Sequence, residues 1–167
     1  QGRQEQDEYV SQFFPIQPET PQARLSRQAV EIIRKGGVVV YPTDAAYALG
    51  CQIGDKAAIE RVRRLRGLDK THNFTLMCCD MSQLGPYAKV DTGTFRLLKA
   101  HVPGPYTFIL NGTREVPRLL PHEKRRTIGL RVPDHVIILA LLAELGETLM
   151  SVYLILPGDE ETMTDPY

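Results

Sequence analysis

The stretch Gly36-Gly37-Val38-Val39-Val40-Tyr41-Pro42-Thr43-Asp44 constrains the fold more than any other part of the chain. Two glycines open it, β-branched and aromatic side chains fill it, and a proline closes it. A continuous apolar run of this length, with no alternation of polar residues, predicts a short strand buried on both faces. Pro42 has no N–H to donate and ends the ladder. Thr43 and Asp44 then stand at the C-terminal end of the strand. A short polar side chain there either caps the turn by bonding backbone two residues on or faces a ligand. Residue types alone leave both readings open.

The rest of the chain alternates between helical and extended patterns. Residues 22–35 place Leu25, Ala29, Ile32 and Ile33 at helical spacing, with Gly36 as the stop. Asp55 is an N-cap for a second helix with Ala58, Ile59, Val62 and Leu65 on its inner stripe, ending near Gly67. Arg61, Arg63 and Arg64 fall away from that stripe. Residues 74–79, 106–111, 127–132 and 150–156 read as further strands, and 81–87, 92–101 and 137–145 as helices. Such density of alternation predicts an α/β fold, a sheet covered by helices. No repeat or linker interrupts it, so residues 16–167 form one domain behind an N-terminal extension, 1–15.

Composition narrows the classes. With 43% hydrophobic residues in 167, the chain can bury a sizeable core. No apolar run reaches eighteen residues and the N-terminus has no signal-peptide core, so a cytoplasmic protein without membrane association is expected. Cys51, Cys78 and Cys79 have no His at zinc-type spacing, which argues against a metal finger or a disulfide framework. His72, His101, His122 and His135 are scattered, and no nucleophilic triad is indicated.

Formal net charge is zero, yet the charges are uneven. Lys56 to Lys70 carries six bases against Glu60 and Asp69, and Gly112 to Arg131 carries six against Glu115 and Glu123. Both ends are acidic. If the two clusters face each other, their summed field draws in phosphate-bearing ligands; if not, they are solvated surface.

Three motifs in order carry a resemblance. Pro42-Thr43-Asp44-Ala45-Ala46-Tyr47-Ala48-Leu49-Gly50 resembles the PTDT-x-YGLG signature of the YrdC-like family. Pro103-Gly104-Pro105-Tyr106-Thr107-Phe108 resembles its PGP-x-T segment, and Thr127-Ile128-Gly129-Leu130-Arg131-Val132-Pro133 its R-V-P strand. The string His72-Asn73-Phe74-Thr75-Leu76-Met77 is similar to the YciO branch. The fold implied is a twisted mixed sheet flanked by helices and open on one side as a basic concave cavity. The family chain continues past the position of Tyr167, so the domain is expected to end short of it.

The activity implied is synthesis of threonylcarbamoyl-adenylate from threonine, bicarbonate and ATP with Mg²⁺, in tRNA modification. Thr43, Asp44, Tyr47, Arg64, Arg66, Arg131 and Ser151 would contact the nucleotide or substrate. Arg131 is equally readable as a structural arginine paired with Asp134. Family members also accommodate duplex RNA or tRNA, for which Arg61, Arg63, Lys124, Arg125 and Arg126 are the candidates; A-form RNA is met mainly through phosphates and 2′-hydroxyls. The resemblance does not assign a catalytic residue.

The departures bear on activity. Arg64 stands where the family has Lys, and the guanidinium fork is not equivalent to an ammonium. Tyr153 and Ile155 stand where synthases carry the Ser and Asn of an STSAN-like strand. Cys79, Ala45 and Ala48 replace a His, a Thr and a Gly. Weak or vestigial synthase activity is therefore the expectation, with a competent synthase and a purely RNA-binding protein as the alternatives.

Overall fold

A computed structural model describes residues 11–68, 74–116 and 127–155. Among them six strands form one mixed sheet: β1 (Val39–Tyr41), β2 (Ala48–Gln52), β3 (Thr75–Met77), β4 (Phe108–Asn111), β5 (Thr127–Arg131) and β6 (Leu149–Tyr153). Their order is β1-β2-β6-β3-β5-β4. Only β3 and β5 run parallel; the other pairs are antiparallel. The four helices are α1 (Ala23–Arg34), α2 (Lys56–Arg66), α3 (Thr92–His101) and α4 (Val136–Leu145).

Side-chain alternation sends each strand's residues to two cores. One face carries Leu49, Cys51, Leu76, Leu130, Met150 and Val152, packed with Ala58, Ile59 and Val62 of α2 and Leu98 of α3. The other carries Tyr41, Ala48, Met77 and Leu149, packed with Ala29, Val30 and Ile33 of α1 and Ile138, Leu141, Leu142 and Leu145 of α4. Among the described residues no helix is long and apolar enough to cross a membrane.

Local chemistry sets the helix ends. The Asp55 carboxylate accepts from the Ala58 N–H at 3.0 Å, which satisfies an orphan donor at the start of α2. Gly67 closes α2 at φ 63°, a left-handed conformation that costs a residue without Cβ little, and the Leu68 N–H reaches back to the Arg63 carbonyl at 2.9 Å.

Several expectations change. β1 lies at the sheet edge, with Val40 51% exposed; an apolar run does not reveal whether a second strand flanks it. The chain then folds straight back as β2 within the motif read as a loop, Ala48 opposite Tyr41. On α2, Leu65 is 52% exposed while Arg63 is 6% exposed. The buried stripe runs through 58, 59, 62 and 63, so continuation at 66 rather than 65 follows from the same spacing. The segment expected to be helical from 81 to 87 is one 3₁₀ turn, Met81–Gln83, capped by Asp80. Of the N-terminal extension, 1–10 lie outside the described residues, as do Lys124, Arg125 and Arg126.

Candidate functional site

Register across the sheet assembles a row of small residues on the α1/α4 face. Gly50 pairs with Ser151, Ser151 with Thr75, Thr75 with Gly129, and Gly129 with Ile109. Toward β1 the row is covered. A Cβ on Gly50 would lie 2.7 Å from the Tyr41 ring and 2.5 Å from Leu149, so only glycine fits. Toward β4 it is open: Ile109 is 68% exposed. Two cavities follow the open part. One, of about 10 Å³, is lined by Ala48, Thr75, Met77, Thr107, Arg131, Ser151, Val152 and Tyr153. The other, of about 220 Å³, lies against Phe74, Thr75, Ile109 and residues 127–129. Both open to solvent, share Thr75, and have no helix residue in their described walls.

Arg131 closes one end of this trough. It is 1% exposed, and its guanidinium pairs through Nη2 with Asp44. Nη1 donates to the Tyr153 hydroxyl at 2.7 Å and makes a longer contact with Thr43 Oγ1 at 3.5 Å; Nε reaches the Gly104 carbonyl at 3.5 Å. The second Asp44 oxygen accepts from the Asp134 N–H at 3.0 Å. The carboxylate that pairs with Arg131 is therefore Asp44, not Asp134, which contributes only its backbone. Adjacency in sequence favoured Asp134; the turn after β1 brings Asp44 closer. One carboxylate thus ties the β1–β2 loop, strand β5 and the start of the β5–α4 loop together.

Thr43 takes the turn-capping reading. Its hydroxyl donates to the Ala46 carbonyl at 2.6 Å and accepts from the Ala45 and Ala46 N–H groups at 3.1 Å each. Tyr47 is half-buried, and its carbonyl receives the Leu154 N–H at 2.9 Å. Ser151 is 1% exposed and gives its proton to the Leu49 carbonyl at 2.9 Å, so the Tyr41 hydroxyl donates to Ser151 Oγ. Burial pushes the Tyr41 phenol well above its ordinary value, which keeps it a donor.

Arg66, at the end of α2, donates through Nη1 to the Tyr153 carbonyl, and its buried Nε has no hydrogen-bond partner among the described residues. Desolvation lowers its pKa, the direction expected for a cation held partly away from water. Asp44, Thr43, Arg131 and, through Tyr153, Arg66 are thus brought together, with Ser151 in the wall of the same cavity. Arg64 is exposed. Two arginines read as facing RNA are engaged elsewhere. Arg63 lies inside, its guanidinium 5.0 Å from the Phe74 ring centroid and 3.6 Å from Glu60, and Arg61 donates to the Gly36 carbonyl at 3.0 Å. The inward turn of Arg63 follows from the α2 stripe described above.

Sequence reasoning did not name Thr75, Thr107, Gly129 or Tyr153 as site residues. The small residues at 75, 129 and 151 each precede a large apolar one on their strand, and that alternation is the signal that would have found them.

The family profile Sua5/YciO/YrdC, described as telomere recombination, matches residues 31–166. The YciO protein of Escherichia coli (strain K12) is 60% identical over 157 residues, 94% of this chain and 76% of that protein. Its crystal structure superposes with a TM-score of 0.88 over the same shares. A threonylcarbamoyl-AMP synthase of Nitrosococcus oceani is 39% identical over 126 residues, 75% of this chain and 68% of that protein. P. abyssi Sua5 complexed with L-threonine superposes with a TM-score of 0.74 at 27% identity, covering 80% of this chain and 39% of that one. The motifs around Thr43, Gly104 and Arg131, the sheet they build and these similarities agree: the chain belongs to the Sua5/YciO/YrdC family.

Proposed function

We propose that the trough binds ATP or an adenylate together with Mg²⁺, and that it supports threonylcarbamoyl-AMP synthesis only weakly. The observation that carries this reading is the open row of small side chains closed at one end by Arg131, with Arg66 held beside it on the Tyr153 carbonyl. A bare pleated floor leaves room for a flat ligand, and a partly desolvated guanidinium with an unspent N–H suits a phosphate oxygen. The synthase names among the relatives and the L-threonine bound by one of them support the substrate class.

Among the described residues no group of three or more His, Cys, Asp or Glu is placed to hold a metal, so Mg²⁺ would arrive on the triphosphate. The chain's own contribution is electrostatic: anionic oxygens gather at the α-phosphorus during adenylate formation, and fixed cations lower that cost. Weak turnover follows from two side chains. Ile155 offers no donor or acceptor where the resembling synthase strand has Asn, and Tyr153 brings a ring where that strand has Ser. Loss of one placed polar contact costs about 1–3 kcal/mol, which is roughly tenfold to a hundredfold in rate.

The test is calorimetric titration with Mg·ATP, paired with pyrophosphate release with and without threonine and bicarbonate, on the parent protein and on Arg66→Ala. Binding that weakens in the variant, with slow threonine-dependent release, is expected. Rapid release would establish a competent synthase. Absence of both binding and release would overturn the nucleotide reading and turn attention to duplex RNA, with Arg64 and residues 124–126 as its cations and a salt titration as its measure.

A further inference from the structure

Among the described residues that line the smaller cavity, Tyr153 is the one aromatic side chain. Ala48, Thr75, Thr107 and Ser151 are small, and Tyr153 stands in the wall beside them. The side chain is held at two points and its backbone at a third. The ring centroid lies 5.8 Å from the Arg131 guanidinium, the hydroxyl accepts from Arg131 Nη1 at 2.7 Å, and the backbone carbonyl accepts from Arg66. Arg131 lines the same cavity and yet is 1% exposed. A cation that borders an open cavity without reaching solvent has something in front of it.

We infer that Tyr153 is a tethered stopper, closing the cavity over Arg131 so that an anionic group reaches that guanidinium only when the ring swings out. The inference deepens the nucleotide reading and rests on it for the identity of the anion. The tether sets the cost of opening. A hydrogen bond from a charged donor and a cation–π contact must both break, so the competent, open form is a minor one and affinity falls by its fraction, about tenfold to a hundredfold. The Arg66 contact is made to the backbone, so it fixes the strand end and leaves the side chain free to rotate.

Two readouts test this on the full chain. Arginine labelling by phenylglyoxal, followed peptide by peptide in a mass spectrometer, reports whether Arg131 is accessible without any ligand. Tyr153→Ser should raise labelling of Arg131 at least tenfold with labelling of Arg64 unchanged, and should tighten Mg·ATP binding about tenfold or more. Tyr153→Phe keeps the ring and loses the hydrogen bond; it should raise labelling a few-fold, and it serves if the serine variant does not fold by circular dichroism. Unchanged Arg131 labelling in a folded variant overturns the stopper. So does increased labelling with Mg·ATP affinity equal in parent and variant, which would leave the nucleotide reading intact. Increased labelling with no Mg·ATP binding in any variant supports the stopper and overturns the nucleotide reading instead.

Discussion

Arg131 is the largest fully buried side chain of the described residues, and a buried cation is tolerated only when its charge and donors are met. Asp44 meets the charge; Tyr153, Thr43 and Gly104 meet donors. Asp44 is itself 14% exposed, so little water is available to replace it. Removing one member of such a pair strands the other. Asp44→Ala is therefore expected to cost about 3 kcal/mol or more of folding stability, because the guanidinium keeps its burial and loses its counter-charge. Asp44→Asn keeps the shape, loses the charge and should fall between. Urea denaturation at neutral pH measures both, with the midpoint shifting and the slope retained. A loss below about 1 kcal/mol for Asp44→Ala would mean that water enters through the trough and solvates Arg131, and the charge-burial account would fail.

Helix α2 is the element that connects fold to site, since it begins on the Asp55 cap and ends on Arg66 beside Tyr153. Its register decides which arginines face inward. Asp55→Ala should cost about 1 kcal/mol by leaving the Ala58 N–H unmet, and Asp55→Ser should recover most of it, since a hydroxyl accepts the same bond. Thermal melts of the two variants check this; equal losses would show that the cap is not what Asp55 provides. This helix was readable in outline. Asp55, Gly67 and the spacing of Ala58, Ile59 and Val62 state its limits and its inner face, because caps and helical period are local. Arg63 and Leu65 were misplaced because apolar character argued for 65 while the period favours 63 and 66. β2 was missed for a related reason: Ala48-Leu49-Gly50-Cys51-Gln52 has no β-branched residue, and its pairing is written in the register with Tyr41 and Ser151, not in its own composition. The three motif segments did point to Thr43, Asp44 and Arg131. Their pairing partners, and the row through Thr75 and Gly129, belong to strands brought together only by topology.

The sheet divides the whole molecule into two cores, and both hold groups that must stay protonated. Cys51 and Cys78 lie in the α2/α3 core and Tyr41 in the α1/α4 core. Burial pushes both thiols up to about 12, with Asp55 adding to the effect at Cys51 and Asp80 at Cys78, and burial raises the Tyr41 phenol as well. Unfolded thiols and phenols ionise at their ordinary values of 9.0 and 10.0. As pH rises past those values the unfolded chain releases protons that the native chain still holds, so the equilibrium moves toward unfolding. The stability these neutral groups confer is complete below about pH 9 and is lost progressively toward pH 12 for the thiols and beyond it for Tyr41. Each thiol adds a slope of about 1.4 kcal/mol per pH unit inside its window. Urea midpoints taken at intervals from pH 8 to pH 11 should therefore hold and then fall steeply. The double variant Cys51→Ala with Cys78→Ala should start lower, because two small cavities remain, and then decline less steeply, because two of the three titrations are gone. Comparison of slopes separates the titration from the packing loss: an unchanged alkaline slope in the double variant would place the ionising groups elsewhere and remove the thiols from the account.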